Sequence, residues 1–145
     1  MDGMPHPELV FEIEALCSPP VDMGTIDGGK ARMIPITGGR VSGPRLSGRV
    51  MPGADWSIMR DSGVATVEAR YAIEADDGTI IQVFNAATTP VGAPRDDGVM
   101  MITTPRFIAP EGPHHWLNHG VYAGTLIPDL SGQSFTVTIG VFRLS

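Results

Sequence analysis

Apolar and polar residues alternate along most of the chain, which is the pattern of strands that bury one face. In the first such run the odd-numbered positions are apolar, whereas Glu12 and Glu14 lie on the opposite face. The alternation recurs in 64–75 and 135–144. The sequence therefore predicts strands at Leu9–Cys17, Met33–Thr37, Leu46–Met51, Trp56–Arg60, Val64–Ala75, Thr79–Ala86, Val99–Thr104, Leu117–Leu126 and Phe135–Leu144.

Turn residues separate these runs at short intervals. Asp76-Asp77-Gly78 joins the predicted strands Val64–Ala75 and Thr79–Ala86, and its Asp-Gly pair supplies the positive backbone angles that a tight hairpin requires. The 18 Gly and 13 Pro interrupt nearly every window long enough for a helix. About nine or ten short strands with very little helix favour an all-β fold, a single antiparallel β-barrel, because closure removes exposed sheet edges. A barrel of this size can hold one small ligand in a central cavity.

Length, charge and cysteine content narrow the classes of function. We expect residues 1–145 to form one domain, with 1–7 as a loosely ordered N-terminal segment. A net charge of −6 without a basic run argues against a nucleic-acid partner. The chain has no apolar run of roughly 18 residues, no signal-peptide pattern at its start and a single cysteine, Cys17. We therefore expect a cytoplasmic protein without membrane contact, and the sequence leaves a homodimer open.

Several short motifs resemble a known family. They are the segment 37–48 (TGGRVSGPRLSG), 52–56 (PGADW), 68–71 (EARY) and 116–118 (WLN). In this order they are similar to the family catalogued as domain of unknown function 3237, over nearly the whole chain. The resemblance implies a calycin-like barrel and directs five side chains toward its cavity: Asp55, Trp56, Arg70, Trp116 and Asn118. Glu68 and His114 depart from the family pattern, which usually has Asp and an aromatic residue there.

Three of the four histidines lie in the segment 111–120 and raise the question of a metal site. Zinc requires three or four converging ligands, whereas His114 and His115 would point to opposite faces of a strand. Glu111 is the only carboxylate close by in the sequence. We therefore expect no metal and no cofactor. His114 is interpreted as a proton-exchanging group at the mouth of the barrel, with a polar loop as the alternative.

Two charged residues are further candidates for chemistry. Arg70 lies in mid-strand near Glu68, and it is either a clamp for a ligand anion or part of a structural ion pair with Asp55 or Glu68. Asp55 is either a turn former or, beside Trp56, a general acid–base with a raised pKa. The aromatic residues Trp56, Phe107 and Trp116 are core by default and become walls for a cyclic ligand if the barrel holds a cavity.

These observations give one leading hypothesis of function and one alternative. The leading hypothesis is a cofactor-independent enzyme that acts by proton transfer on a small, partly apolar, cyclic or polyketide-like metabolite. An isomerase, dehydratase, cyclase and lyase all remain open. The predicted catalytic residues are Asp55, Arg70 and His114, and the predicted substrate-binding residues are Trp56, Glu68, Phe107, Trp116 and Asn118. The alternative is a non-catalytic protein that binds or carries a small molecule in the same barrel.

Overall fold

The protein consists almost entirely of β-strands. The computed structural model describes residues 3–90, 100–129 and 135–145. The strands are β1 Pro7–Cys17, β2 Val21–Ile26, β3 Gly29–Ser42, β4 Gly48–Arg60, β5 Val64–Ala75, β6 Ile80–Pro90, β7 Met101–Ile108, β8 Val121–Asp129 and β9 Phe135–Leu144. A 3-10 helix, His115–Asn118, precedes β8. None of the helical structure in these ranges is long and apolar enough to cross a lipid bilayer. The predicted all-β fold is confirmed.

The strands form one antiparallel sheet that closes into a barrel. Their order is β1-β9-β8-β7-β6-β5-β4-β3-β2, and an additional pairing of β1 with β3 closes the circle. β1 pairs with residues 36–42 of β3, and β2 pairs with residues 29–33 along the same edge. β2 therefore continues the path of β1 beyond Ser18-Pro19-Pro20, where the prolines cannot donate to a strand ladder. The barrel has eight strands, and β2 is an extra strand attached to β3.

The observed elements differ from the predicted ones in three places. β2 is absent from the prediction, because all six of its residues are exposed and the sequence carries no burial pattern there. The predicted strand Leu117–Leu126 begins only at Val121, because the 3-10 helix occupies its start. The predicted runs Leu46–Met51 and Trp56–Arg60 are two parts of β4. Residue 99, the predicted start of another strand, lies outside the described residues. In the predicted N-terminal segment, His6 exchanges two backbone hydrogen bonds with Ser145, of 2.7 and 3.1 Å.

The barrel has two ends that differ in their packing. We call the end with the β5–β6 turn (residues 76–79) and the 3-10 helix the lower end, and the end with the β4–β5 turn (residues 61–63) the upper end. In the lower half, Phe107 packs edge-to-face against Phe11 and Tyr122, with ring centroids 5.6 and 5.4 Å apart. Leu117 of the 3-10 helix is 2% exposed and covers this end. Burial of each such side chain stabilises the fold by about 1.5–3 kcal/mol.

A β-bulge in β4 decides which residues face the interior. The register of β4 with β5 shifts between Met51 and Ala54. A bulge adds one residue to a strand and thereby reverses the alternation of its side chains. Val50, before the bulge, is 2% exposed and faces the core. Asp55 therefore faces inward after the bulge, whereas Trp56 faces outward and is 48% exposed.

Candidate functional site

The inner wall formed by β4–β7 changes character between the two halves of the barrel. In the lower half its side chains are large, apolar and at most 3% exposed: Val50, Ile73, Ile81 and Phe107. Towards the upper end most inward positions of the same strands are small or polar: Asp55 and Ser57 on β4, Ala65 and Ala69 on β5, Asn85 and Ala87 on β6, and Thr103 on β7. Val67 on β5 and Met101 on β7 are the larger apolar side chains among them. An apolar wall with a few polar groups resembles the lining of ligand sites.

Four buried oxygens of this region have no hydrogen-bond partner within the part of the chain that the structure describes. They are Asp55 Oδ1, Tyr71 OH, Asn85 Oδ1 and Thr103 Oγ1, and we call these four residues the polar cluster. Buried polar atoms are bonded in the great majority of cases, and an unsatisfied one costs about 1–3 kcal/mol. Four of them on connected strands therefore indicate groups reserved for a ligand or for water rather than for the fold.

Register places the members of the polar cluster on neighbouring strands. Asp55 on β4 and Asn85 on β6 are both direct cross-strand neighbours of Ala69 on β5. The small Ala69 therefore separates a carboxyl group from an amide on a single row of the wall. Tyr71 follows two residues later on the same inward face of β5 and is 6% exposed.

Thr103 owes its space to a glycine on the next strand. Thr103 of β7 pairs with Gly124 of β8, and a Cβ atom on Gly124 would collide with Thr103 Oγ1. The side chain of Thr103 is 1% exposed. The glycine at this position therefore allows a hydroxyl group to lie in the interior of a tightly closed sheet.

Burial raises the pKa of the Asp55 carboxyl from its ordinary value of 3.8 to about 6. A backbone hydrogen bond from Glu68 and the positive charge of Arg32 act in the opposite direction, but burial outweighs them. Removal from water disfavours the charged form of a carboxyl group, which is the cause of such a rise. Asp55 can therefore both accept and release a proton close to neutral pH.

Tyr71 and Cys17 lie close enough to Asp55 to respond to its charge. Burial raises the pKa of the Tyr71 hydroxyl, and the neighbouring Asp55 and Cys17 raise it further. Burial, followed by the charge of Asp55, raises the pKa of the Cys17 thiol to about 11. Tyr71 consequently stays protonated and is a hydrogen-bond donor. Cys17 stays a thiol and is a poor nucleophile, since the thiolate is the reactive form.

The predicted placement of Trp56, Glu68 and Arg70 in the interior is wrong. All three side chains are exposed on the outer face of the barrel. The guanidinium of Arg70 lies over the ring of Phe84, 4.9 Å from its centroid, rather than beside Asp55. The reason is the closure of the sheet: the apolar face of β5 is the interior, so the face that carries Glu68 and Arg70 meets solvent. Sequence alternation locates the apolar face correctly, but that face, and not the one with Glu68 and Arg70, is the interior of the barrel.

His114 lies at the lower end, not beside Asp55. Its Nε2 is 2.9 Å from Asp77 Oδ2 in the β5–β6 turn. Hydrogen bonds from Thr79, and then from His114, lower the pKa of the Asp77 carboxyl. From Ala69, the neighbour of Asp55, to this turn the chain runs along about 20 Å of extended strand, so Asp55 and His114 cannot act on the same atom. Within the described ranges no three His, Cys, Asp or Glu side chains are grouped so that they could hold a metal ion.

The remaining predicted binding residues support the lower end of the barrel. Asn118 forms two hydrogen bonds of 2.8 Å with the backbone N–H and carbonyl of Ala109. Trp116 is half-buried beneath the guanidinium of Arg45, which lies 4.2 Å from its ring centroid. Phe107 belongs to the core. These contacts give the three residues a structural role, on the packed side of the barrel.

Tyr122 provides a useful contrast with Tyr71. Its hydroxyl donates to the backbone carbonyls of Trp116 and His119, at 3.2 and 3.1 Å. The Tyr122 hydroxyl is therefore bonded, whereas the Tyr71 hydroxyl has no partner in the described part of the chain.

Sequence reasoning places Asp55 among the site residues but misses the others of the polar cluster. Tyr71 belongs to the apolar face of β5 in the sequence pattern, which gives no weight to its hydroxyl. Asn85 follows Ile81 and Val83 at a spacing of two, and an amide on an apolar face is a readable signal. Thr103 carries no comparable signal, because threonine is common on either face of a strand.

Comparison with known proteins agrees with this fold. A sequence model described as "Protein of unknown function (DUF3237)" matches residues 5–144. A UPF0311 protein of Rhodopseudomonas palustris is 37% identical over 130 residues, which cover 81% of this chain and 85% of that protein. A UPF0311 protein of Bradyrhizobium diazoefficiens is 34% identical with the same coverage.

Solved structures of other proteins superpose on nearly the whole chain. A conserved protein of unknown function from Rhodopseudomonas palustris superposes with a TM-score of 0.85 at 33% identity, covering 97% of this chain and 98% of that one. A β-barrel-like protein of Acinetobacter baumannii gives 0.82 at 28% identity, covering 97% and 96%. An enzyme from Penicillium herquei shares the fold at 0.74 and 22% identity, covering 97% of both chains. This chain belongs to the DUF3237 family of proteins of unknown function.

Proposed function

We propose that the protein is a cofactor-independent enzyme that binds a small, partly apolar carbonyl compound against the polar cluster and moves a proton with Asp55. The observation that carries the proposal is the set of four buried oxygens on the inner wall that have no partner in residues 3–90, 100–129 and 135–145. A fold gains nothing from unsatisfied polar groups, whereas a bound carbonyl oxygen can accept a hydrogen bond from the Tyr71 or the Thr103 hydroxyl. Asp55 Oδ1 and Asn85 Oδ1 are acceptors and would meet proton-bearing groups of the same compound. A ligand that is cyclic or polyketide-like combines such oxygens with a flat apolar body.

The first step of the proposed chemistry is proton abstraction. The Asp55 carboxylate takes a proton from the carbon next to the substrate carbonyl, and the electron pair of the broken C–H bond moves onto the carbonyl oxygen. A pKa of about 6 makes Asp55 a usable base at neutral pH and a usable acid for returning the proton. The resulting enolate carries negative charge on oxygen.

One of two hydroxyl donors of the polar cluster stabilises that charge. Tyr71 and Thr103 each have a buried hydroxyl without a partner in the described residues. Donors held in place in a water-poor site stabilise an oxyanion strongly, and loss of one typically lowers the rate about 10²–10³-fold. Return of the proton to another carbon gives an isomerase, loss of a β-hydroxyl as water, with the proton held by Asp55, gives a dehydratase, and attack of the enolate on a second carbonyl gives a cyclase. In a lyase, Asp55 instead takes the proton of a β-hydroxyl, and cleavage of the C–C bond releases the same kind of enolate.

The fold is compatible with catalysis, because the enzyme from Penicillium herquei has it. At 22% identity that likeness supports the architecture and transfers no reaction. Arg70 and His114 have no part in the proposed mechanism, since Arg70 stacks on Phe84 outside the barrel and His114 contacts Asp77 at its lower end.

A hydrogen-exchange experiment tests the proposal even when the product of the reaction is unknown. Cyclic ketones and β-diketones are first screened for an increase in the melting temperature of the protein. Stabilising compounds are then incubated with the protein in D₂O, and deuterium incorporation next to the carbonyl is followed by NMR. We expect Asp55→Asn to lower the rate of incorporation at least about 100-fold, the usual scale of general-base catalysis.

Outer-face variants provide matched controls for this experiment. Glu68→Gln removes a carboxylate from the neighbouring strand, and Arg70→Met removes the cation that the sequence pattern assigns to the site. Both should exchange at the wild-type rate, within about twofold. Exchange by Asp55→Asn as fast as by the wild type would refute Asp55 as the base. A stabilising ligand with neither exchange nor product would identify the protein as a carrier.

A further inference from the structure

We infer that Arg32 forms an anion site at the upper end of the barrel, so that the substrate carries a carboxylate separated from its reacting carbon. The inference rests on the proposed function for the identity of that carbon. It adds a substrate class, carboxylates, to a site that so far selects only a carbonyl group.

Register places Arg32 on the inward side of β3. The pairing of β3 with β4 runs without a shift from Gly29–Arg60 to Ile36–Gly53. Ile34 and Ile36 are 7% and 5% exposed and face the interior. Arg32 is two residues from Ile34 and therefore shares its face.

The same register gives the distance between the cation and the base. Ile34 is the cross-strand neighbour of Asp55, and Arg32 is the neighbour of Ser57. Two residues of a strand correspond to about 7 Å, so Arg32 lies about that far from Asp55 towards the upper end. Its charge reaches the carboxyl group, since it lowers the pKa of Asp55 against the effect of burial.

The guanidinium of Arg32 is available to a ligand. Among the described residues no ion pair involves Arg32. Its neighbour across the ladder with β2 is Asp22, and Asp22 Oδ1 accepts a hydrogen bond of 2.8 Å from the N–H of Gly24. Arg32 is itself exposed, as a group at the entrance to a site must be.

The chemistry of the group points to a carboxylate as its ligand. A guanidinium offers a planar fork of donors that matches the two oxygens of a carboxylate. The chain carries a net charge of −6, which repels anions in general. A cation next to the polar cluster reverses that preference locally and holds an anionic substrate with its carbonyl end towards Asp55.

Two ligands that differ only in charge test the inference. The probes are 4-oxocyclohexanecarboxylate and 4-oxocyclohexanecarboxamide, whose dissociation constants are measured by NMR titration of the backbone amides. We expect the wild type to bind the carboxylate at least about tenfold more tightly than the amide, the scale of a charge-assisted hydrogen bond in a partly exposed site. In Arg32→Met this ratio should fall to about one, and Arg32→Lys should lie between.

Lys30→Met is the matched control. Lys30 is on the same strand and face, two residues further towards the upper end, and it pairs with Met59. The substitution removes the same charge as Arg32→Met and should leave the ratio of the two dissociation constants unchanged. An equal loss of the preference for the carboxylate in Lys30→Met and Arg32→Met would mean that positive charge acts on the ligand from a distance, not by contact with Arg32. That result would overturn the inference. So would an unchanged ratio in Arg32→Met, or a wild type that binds neither probe or does not distinguish them.

A failure of the anion site can be distinguished from a failure of the proposed proton transfer. A preference for the carboxylate that depends on Arg32, without deuterium exchange of any bound ketone, would support the anion site and refute proton transfer. Deuterium exchange that depends on Asp55, with no preference for the carboxylate, would support proton transfer and refute the anion site.

Discussion

Replacing Asp55 by Asn should stabilise the folded protein at neutral and alkaline pH. The interior disfavours the charged carboxylate, which is why the pKa of Asp55 rises to about 6. Asn has nearly the same shape and carries no charge that burial could penalise. A residue kept for proton transfer at the expense of stability is a common feature of enzyme sites.

The size of the effect follows from the two pKa values. The folded value is about 6 and the ordinary value 3.8, and each tenfold difference in proton affinity is worth about 1.4 kcal/mol. The ionised group therefore lowers the free energy of unfolding by about 3 kcal/mol at most. Between these pH values the folded state binds more protons than the unfolded state, so stability falls as pH rises. The penalty is absent below pH 3.8, grows up to about pH 6 and is constant above it.

Urea unfolding of both proteins at several pH values between 4 and 8 measures this difference. We expect Asp55→Asn to be more stable than the wild type by about 2–3 kcal/mol at pH 8 and by close to nothing at pH 4. Glu68→Gln, which removes an exposed carboxylate on the next strand, should change stability by less than about 0.5 kcal/mol. A variant that is less stable at pH 8, or whose advantage does not depend on pH, would refute burial as the cause.

Five further substitutions test the distinction between site and scaffold. Tyr71→Phe removes a hydroxyl that has no partner among the described residues, and it should leave the free energy of unfolding unchanged or raise it. Tyr122→Phe removes a hydrogen-bonded hydroxyl and should cost about 1 kcal/mol in urea unfolding. Asn118→Ala should cost about 2–3 kcal/mol in the same assay, because it breaks two hydrogen bonds at the lower end. Gly53→Ala should cost about 1–3 kcal/mol, since its Cβ would lie 2.6 Å from the Cβ of Tyr71. Gly38→Ala is the matched control and should cost less, because its Cβ would meet no atom nearer than 3.9 Å. An equal loss of stability in the two tyrosine variants, or in the two glycine variants, would contradict this division into site and scaffold.

The fold can be predicted from sequence because its main signal is local. Alternation locates β1, β5 and β9 to within a few residues, and Asp77-Gly78 marks the β5–β6 hairpin, where Gly78 has a φ of 88°. Exposed β2 carries no such signal, since a strand that buries neither face has no period to detect. The closure of the sheet follows from a general argument about edges rather than from any one residue.

The candidate site is harder to predict, because it depends on which of the two alternating faces of each strand lies inside the barrel. Within one strand, alternation says that Tyr71 and Arg70 face opposite ways but not which way is inside. The sequence of β5 makes its apolar face the interior once the sheet closes, and this places Arg70 outside. The assumption that an arginine in mid-strand must line a cavity reverses that choice. The placement of Asp55, Asn85 and Thr103 on one inner wall depends on three strand registers, which no single segment contains.

The bulge at Pro52-Gly53 is where the scaffold and the candidate chemistry meet. Without it, the alternation that buries Val50 would bring the indole of Trp56 inside and leave the carboxyl group of Asp55 in solvent. An indole would fill the wall and contribute to stability, whereas a carboxyl group there is penalised by about 3 kcal/mol when it is charged. The bulge thus exchanges packing for a carboxyl group whose Oδ1 is buried. That exchange is disadvantageous for a purely structural barrel, and it is what a barrel that binds and deprotonates a carbonyl compound requires.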